Sequence, residues 1–143
     1  MRKCLMPSMF DDVAEFHIKI LGQPSADTPS LISQEWLLER FRFLAEESNE
    51  YLEAGMRGDI VGAVDGLLDI IYVALGTLYI MGIPVQECWN HVQQANMSKV
   101  RGMTKRGNAF DAAKPTGWVA PEAAIAKSLG DALEKARHSN SAS

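Results

Sequence analysis

The stretch AVDGLLDIIYVALG, residues 63–76, places two aspartates, Asp65 and Asp69, inside the most apolar segment of the chain. Four residues apart, they share one helix face and stand one turn from each other. An isolated ionised carboxylate is costly to remove from water. A fold that buries this helix must therefore supply both charges with a partner, and few architectures do so.

Helical periodicity dominates the chain, and no segment reads as a strand. A short first helix is expected over about residues 9–21, stopping at Gly22 in the turn-rich LGQPSADTPS. Ser33 suits an N-cap, with Gln34 and Glu35 in the first turn, where negative charge is favoured. Leu37, Phe41, Leu44 and Leu52 then mark an apolar stripe that stops near Gly55 and Gly58. The third helix, about 60–81, is apolar almost all round and is expected to be the most buried. Gly82 followed by Pro84 marks a stop and a restart, and a fourth helix runs over about 84–99. A weaker amphipathic stretch covers 121–137, and the closing HSNSAS is expected to be disordered. The sum is an all-α bundle of about four core helices, with a domain over 1–121 and a helical extension over 122–143.

Composition removes several function classes. A chain of 143 residues that is 47% hydrophobic supports one real core. A net charge of −4 argues against a general nucleic-acid binder. Cys4 and Cys88 form no metal or redox spacing and suit a reducing cytoplasm. The longest apolar stretch, from Ile70 to Ile83, falls short of the roughly 18–20 residues of a membrane span, so no membrane partner is expected.

A second acidic cluster lies in AEESNEYLEA: Glu46, Glu47 and Glu50. Against the Leu37/Phe41/Leu44 stripe, Glu47 lies on the flank, Glu50 further round and Glu46 furthest. Consecutive antiparallel helices bring this cluster toward Asp65 and Asp69. Five uncompensated carboxylates would raise one another's pKa values, and a hard divalent cation is the usual remedy. Mg²⁺ takes carboxylate oxygens, keeps several waters and completes its shell with substrate phosphates. The bland alternatives are a solvated acidic face for EExxE and pairing of the aspartates with Arg40, Arg42 or Arg57.

Taken together, EESNE, the segment DGLLDIIYVALGTLYIMGIP, HVQQANMSK, the upstream EFHIKILGQP and the downstream KPTGW resemble the MazG-like all-α nucleoside triphosphate pyrophosphohydrolases, which include phosphoribosyl-ATP pyrophosphohydrolase-like members. The resemblance covers roughly residues 13–121. It implies a bundle that forms homodimers or homotetramers, with metal held by EExxE and a later ExxD. Gly66 stands where the ExxD glutamate would be, and Asp65 offers a carboxylate one position earlier.

The reaction implied is hydrolysis of a (deoxy)nucleoside triphosphate, with dUTP or dGTP as leading substrates, to the monophosphate and pyrophosphate. Glu47, Glu50, Asp65 and Asp69 become metal ligands for Mg²⁺ or Mn²⁺. Glu46 becomes a further ligand or the base, and its role is exchangeable with that of Glu47. Asn96, Lys99, Arg101, Lys105 and Arg106 are then candidates for the phosphates. Lys114 and Trp118 either close over the nucleotide or pack on the bundle, and His17 either touches the base or is structural.

Three rivals belong to other classes. A ferritin-like di-iron protein needs Glu-x-x-His on two helices, which Glu87 and His91 do not provide. A non-catalytic interaction bundle with a structural cation is the stronger alternative. A nucleic-acid adaptor using SKVRGMTKRG would bind with steep salt dependence.

Overall fold

The computed structural model describes residues 8–102 and 111–141. Cys4, Lys105 and Arg106 lie outside the described residues. The elements are α1 (Met9–Lys19), α2 (Gln34–Met56), α3 (Ile60–Ile80), α4 (Val85–Met97), β1 (Val100–Gly102), β2 (Asp111–Ala113) and α5 (Glu122–Ser141). The architecture is all-α apart from the two three-residue strands. The chain divides between Ile83 and Pro84 into two compact units.

In the N-terminal unit, α3 packs against both α1 and α2. The helix boundaries follow local chemistry. Ser8 and Asp11 form a capping box at the start of α1. The Ser33 hydroxyl accepts from Trp36 N–H at 3.3 Å and opens α2. The turn after α2 uses Gly58 at φ +73°, and Asp59 then caps α3 by accepting from Gly62 N–H at 3.0 Å.

Of the Leu37/Phe41/Leu44/Leu52 stripe only Leu44 lies on the covered face of α2; Leu37, Phe41 and Leu52 remain 51%, 65% and 59% exposed. Arg40, Leu44, Glu47 and Ala54, spaced along one helix face, are the more covered positions. This face lies about a quarter turn from the stripe marked by the apolar residues. Arg40 makes the link explicit: Nε donates to Thr77 Oγ1 at 2.9 Å and a terminal nitrogen to Val73 O at 2.8 Å, both on α3.

As its apolar sequence predicts, α3 carries more buried residues than any other described helix, yet much of its surface stays open. Ile60, Val61, Val64 and Leu68 are each at least half exposed, and only Gly66, Gly76, Tyr79 and Ile80 are buried. Two helices cannot cover a third that is apolar all round. By length and composition α3 also passes for a membrane span, with mean hydropathy 1.7, because the helix begins ten residues before the Ile70–Ile83 stretch. Asp65 and Asp69 near its middle would each cost about 2.5–3.5 kcal/mol at a bilayer centre.

The C-terminal unit pairs α4 with α5 and closes a small antiparallel hairpin, Val100 opposite Ala113 and Arg101 opposite Ala112. Strands of three residues are too short to leave an alternation in the sequence. Helix α5 continues through the segment expected to be disordered, as far as Ser141. His138 Nδ1 and Ser139 Oγ hydrogen-bond the carbonyls four residues back and sustain its last turns.

Candidate metal and nucleotide site

The five acidic residues all lie on the α2–α3 pair. Glu47 sits on the inward face of α2, and its Oε2 is buried without a hydrogen-bond partner. Burial first, then the negative charges of Asp69, Glu50, Glu46 and Asp65 in that order, push its carboxyl above the ordinary value. The two clusters are thus electrostatically joined through one residue. Glu46, Glu50, Asp65 and Asp69 are solvent-exposed around it.

The arginines do not neutralise them. Arg40 is committed to α3, and Arg57 lies 3.6 Å from Glu53. Neither Asp65 nor Asp69 has a hydrogen-bond or ion-pair partner among the described residues.

A buried acceptor with no donor, under the field of four further carboxylates, is the kind of group that a divalent cation would satisfy. As the side chains stand, no three acidic, histidine or cysteine groups among the described residues converge as a closed ligand set.

Gly66 explains why no glutamate stands at its position. A Cβ there would lie 3.0 Å from Tyr51 N, 3.2 Å from Glu47 O and 3.2 Å from Tyr51 Cα. The helices meet backbone to backbone at this point, and a side chain would drive them apart. The close approach draws α3 onto the turn of α2 that carries Glu47, and leaves Asp65 and Asp69 to supply the carboxylates of α3.

His17 is a core residue at 2% exposure. Its Nδ1 lies 3.1 Å from Gln23 Oε1, its ring centroid is 5.1 Å from that of Tyr79, and a Cβ on Gly76 would fall 2.5 Å from its Nε2. Burial, reinforced by the Arg40 charge and opposed by the Gln23 hydrogen bond, holds the imidazole below its ordinary value. A nucleotide base reaches it only by displacing Gln23 or Tyr79. Sequence reasoning missed this cluster of His17, Gln23, Arg40, Thr77 and Tyr79; its one signal was Gly76 in the interior of an apolar helix.

In the C-terminal unit, Lys99 Nζ donates to Asn96 Oδ1 at 2.7 Å. The Lys114 and Lys99 ammonium groups lie 4.4 and 5.5 Å from the Trp118 ring centre. Trp118 itself packs, donating its indole N–H to Ala95 O at 2.8 Å. Arg101 is exposed on β1.

A family model described as phosphoribosyl-ATP pyrophosphohydrolase matches residues 13–96, more than half of the chain and inclusive of all five acidic positions. The chain belongs to that family, within the MazG-like all-α pyrophosphohydrolases, and the membership implies pyrophosphohydrolase activity on a nucleotide. A search of curated proteins found no match.

Proposed function

We propose that the protein hydrolyses a (deoxy)nucleoside triphosphate between the α and β phosphates, in a divalent-cation-dependent reaction that controls the nucleotide pool, with dUTP and dGTP as leading substrates. The observation that carries this is the buried, partnerless Glu47 Oε2 beside acidic residues of both α2 and α3. Glu47, Glu50 and Asp69 hold Mg²⁺ or Mn²⁺, and Asp65 completes the set from the same face of α3. The bound cation supplies counter-charge to the triphosphate. Glu46, exposed on the flank of α2, accepts the proton of the attacking water as its oxygen bonds to the α-phosphorus. The bond from that phosphorus to the bridging oxygen breaks, and pyrophosphate leaves. Asn96, Lys99, Arg101 and Lys114 carry N–H donors of the kind that bind phosphate oxygens.

The apolar positions left open on α2 and α3 support assembly into a homodimer or homotetramer in the cytoplasm. The decisive experiment measures turnover of a dNTP panel with Mg²⁺ or Mn²⁺, scoring monophosphate and pyrophosphate. Orthophosphate as primary product, or no turnover of any nucleotide, refutes the proposal. Cation-dependent stability without pyrophosphate release would identify a non-catalytic bundle instead.

A further inference from the structure

The loop from Gly22 to Asp27 borders a solvent-open cavity of about 390 Å³ beside α1 and the end of α3, with Ile18, Gln23, Ser25, Asp27 and Tyr79 among its walls. Its volume is that of a small-molecule site. The wall is held in place rather than draped. Gln23 N–H donates to His17 O at 2.9 Å, Ala26 N–H to Ile80 O at 3.0 Å, and Ser30 N–H to Met81 O at 3.0 Å. Tyr79 O–H donates to Gln23 O at 3.2 Å. Gly82, at φ +66°, lets the loop approach so closely that a Cβ there would fall 2.5 Å from Ala26 O.

Two polar side chains on this wall are uncommitted. The Asp27 carboxylate has no hydrogen-bond or ion-pair partner among the described residues. Gln23 engages His17 through Oε1, so its amide nitrogen is the end left to donate. Ile18, 58% exposed, supplies apolar surface for a flat ligand, and the largely buried Tyr79, 8% exposed, forms the floor beside it.

We propose that this cavity reads a guanine base, with Asp27 as the specificity-determining residue. An ionised carboxylate only accepts, and its two oxygens are satisfied best by two adjacent N–H donors. Guanine alone among the common bases presents such a pair, N1–H and the 2-amino group, with O6 beside them to accept from the Gln23 amide. Adenine and cytosine each set one amino group beside a ring acceptor. Uracil and thymine flank their single N–H with two carbonyl oxygens, which the carboxylate repels.

The inference rests on the pyrophosphohydrolase assignment for its place in the reaction: Asp69 and Tyr79 lie on the same helix, ten residues and roughly 15 Å apart along its axis. It selects dGTP over dUTP as the substrate of that site.

The test measures binding of dGMP, dAMP, dCMP and dUMP to the full chain by titration calorimetry without added metal, alongside turnover of the matching triphosphates with Mg²⁺. The expected result is at least a roughly tenfold preference for dGMP, the scale of one bidentate contact to a base. Asp27→Asn and Asp27→Ala should both lose it, with unchanged thermal unfolding. Absence of dGMP binding at millimolar concentration, or a guanine preference that survives in both variants, overturns the proposal. Turnover without guanine preference removes the base assignment and leaves the hydrolase intact. Guanine-selective binding without any turnover does the reverse.

Discussion

Replacing Gly66 by alanine tests the helix contact on which the acidic site depends. The added Cβ meets three backbone atoms of α2 at 3.0–3.2 Å, and none of them can rotate away as a flexible side-chain tip would. The α2–α3 pair must open by a few tenths of an ångström. Overpacking of this kind costs about 1–3 kcal/mol. Against it stands the helix-propensity gain of glycine to alanine, about 1 kcal/mol. Gly55 supplies the control, because it lies in α2 with nothing within 4 Å of a Cβ. Gly55→Ala takes the propensity gain without the clash.

The difference between the two variants therefore isolates the contact and should equal about 1–3 kcal/mol. For a chain of this size that separates their melting temperatures by roughly 2–12 °C, with Gly66→Ala the lower. Circular dichroism melts of both variants under one buffer measure it. Nucleotide turnover should also fall in Gly66→Ala, because Glu47 O and Tyr51 are the atoms displaced. Equal melting temperatures for the two variants would refute the claim that the helices touch at Gly66.

Cation binding to the native state alone should raise stability by about 2.7 kcal/mol at a hundredfold excess over Kd, or some 5–11 °C in melting temperature. The raised Glu47 carboxyl sets the sign with pH: its ionisation weakens the cation-free fold as pH rises through its native pKa, so the Mg²⁺ increment should grow from pH 5 to pH 8. Glu47→Gln and Asp69→Asn should abolish turnover while keeping the helical spectrum, and Glu47→Gln should also lose the Mg²⁺ increment; wild-type turnover in both would remove the site assignment.

His17 contributes in the opposite sense. Its native pKa lies below the value near 6.5 of the unfolded chain, so below that pH the unfolded state binds the extra proton. Stability should fall by up to about 1.4 kcal/mol per pH unit on acidification below pH 6.5, and His17→Gln should flatten that slope in urea unfolding.

Much of this arrangement is legible in the residues themselves. Ser33, Gly58 and Gly82 mark helix ends because caps and left-handed turns are local devices, satisfied by atoms a few positions away. The carboxylate pairing across two helices is legible for a similar reason. Spacing by four on an apolar helix and an acidic run on the preceding one leave an antiparallel pair as the economical way to share a charge partner. The facing stripe of α2 is not legible in the same way, because its apolar residues do not all mark the inside. In this chain the inside of α2 includes Arg40 and Glu47 beside Leu44, and Leu37, Phe41 and Leu52 are open.

Local sequence thus determined the helices, their ends and the helix positions of the acidic residues, since hydrogen bonds and spacing within a few residues decide those. Tertiary structure alone decided that Gly66 is a contact point, that His17 is a core residue, and that the Gly22–Asp27 loop stands as one wall of a cavity. Each of these depends on how close two distant backbones come. That distance is set by the packing of whole faces, and no window along the chain encodes it.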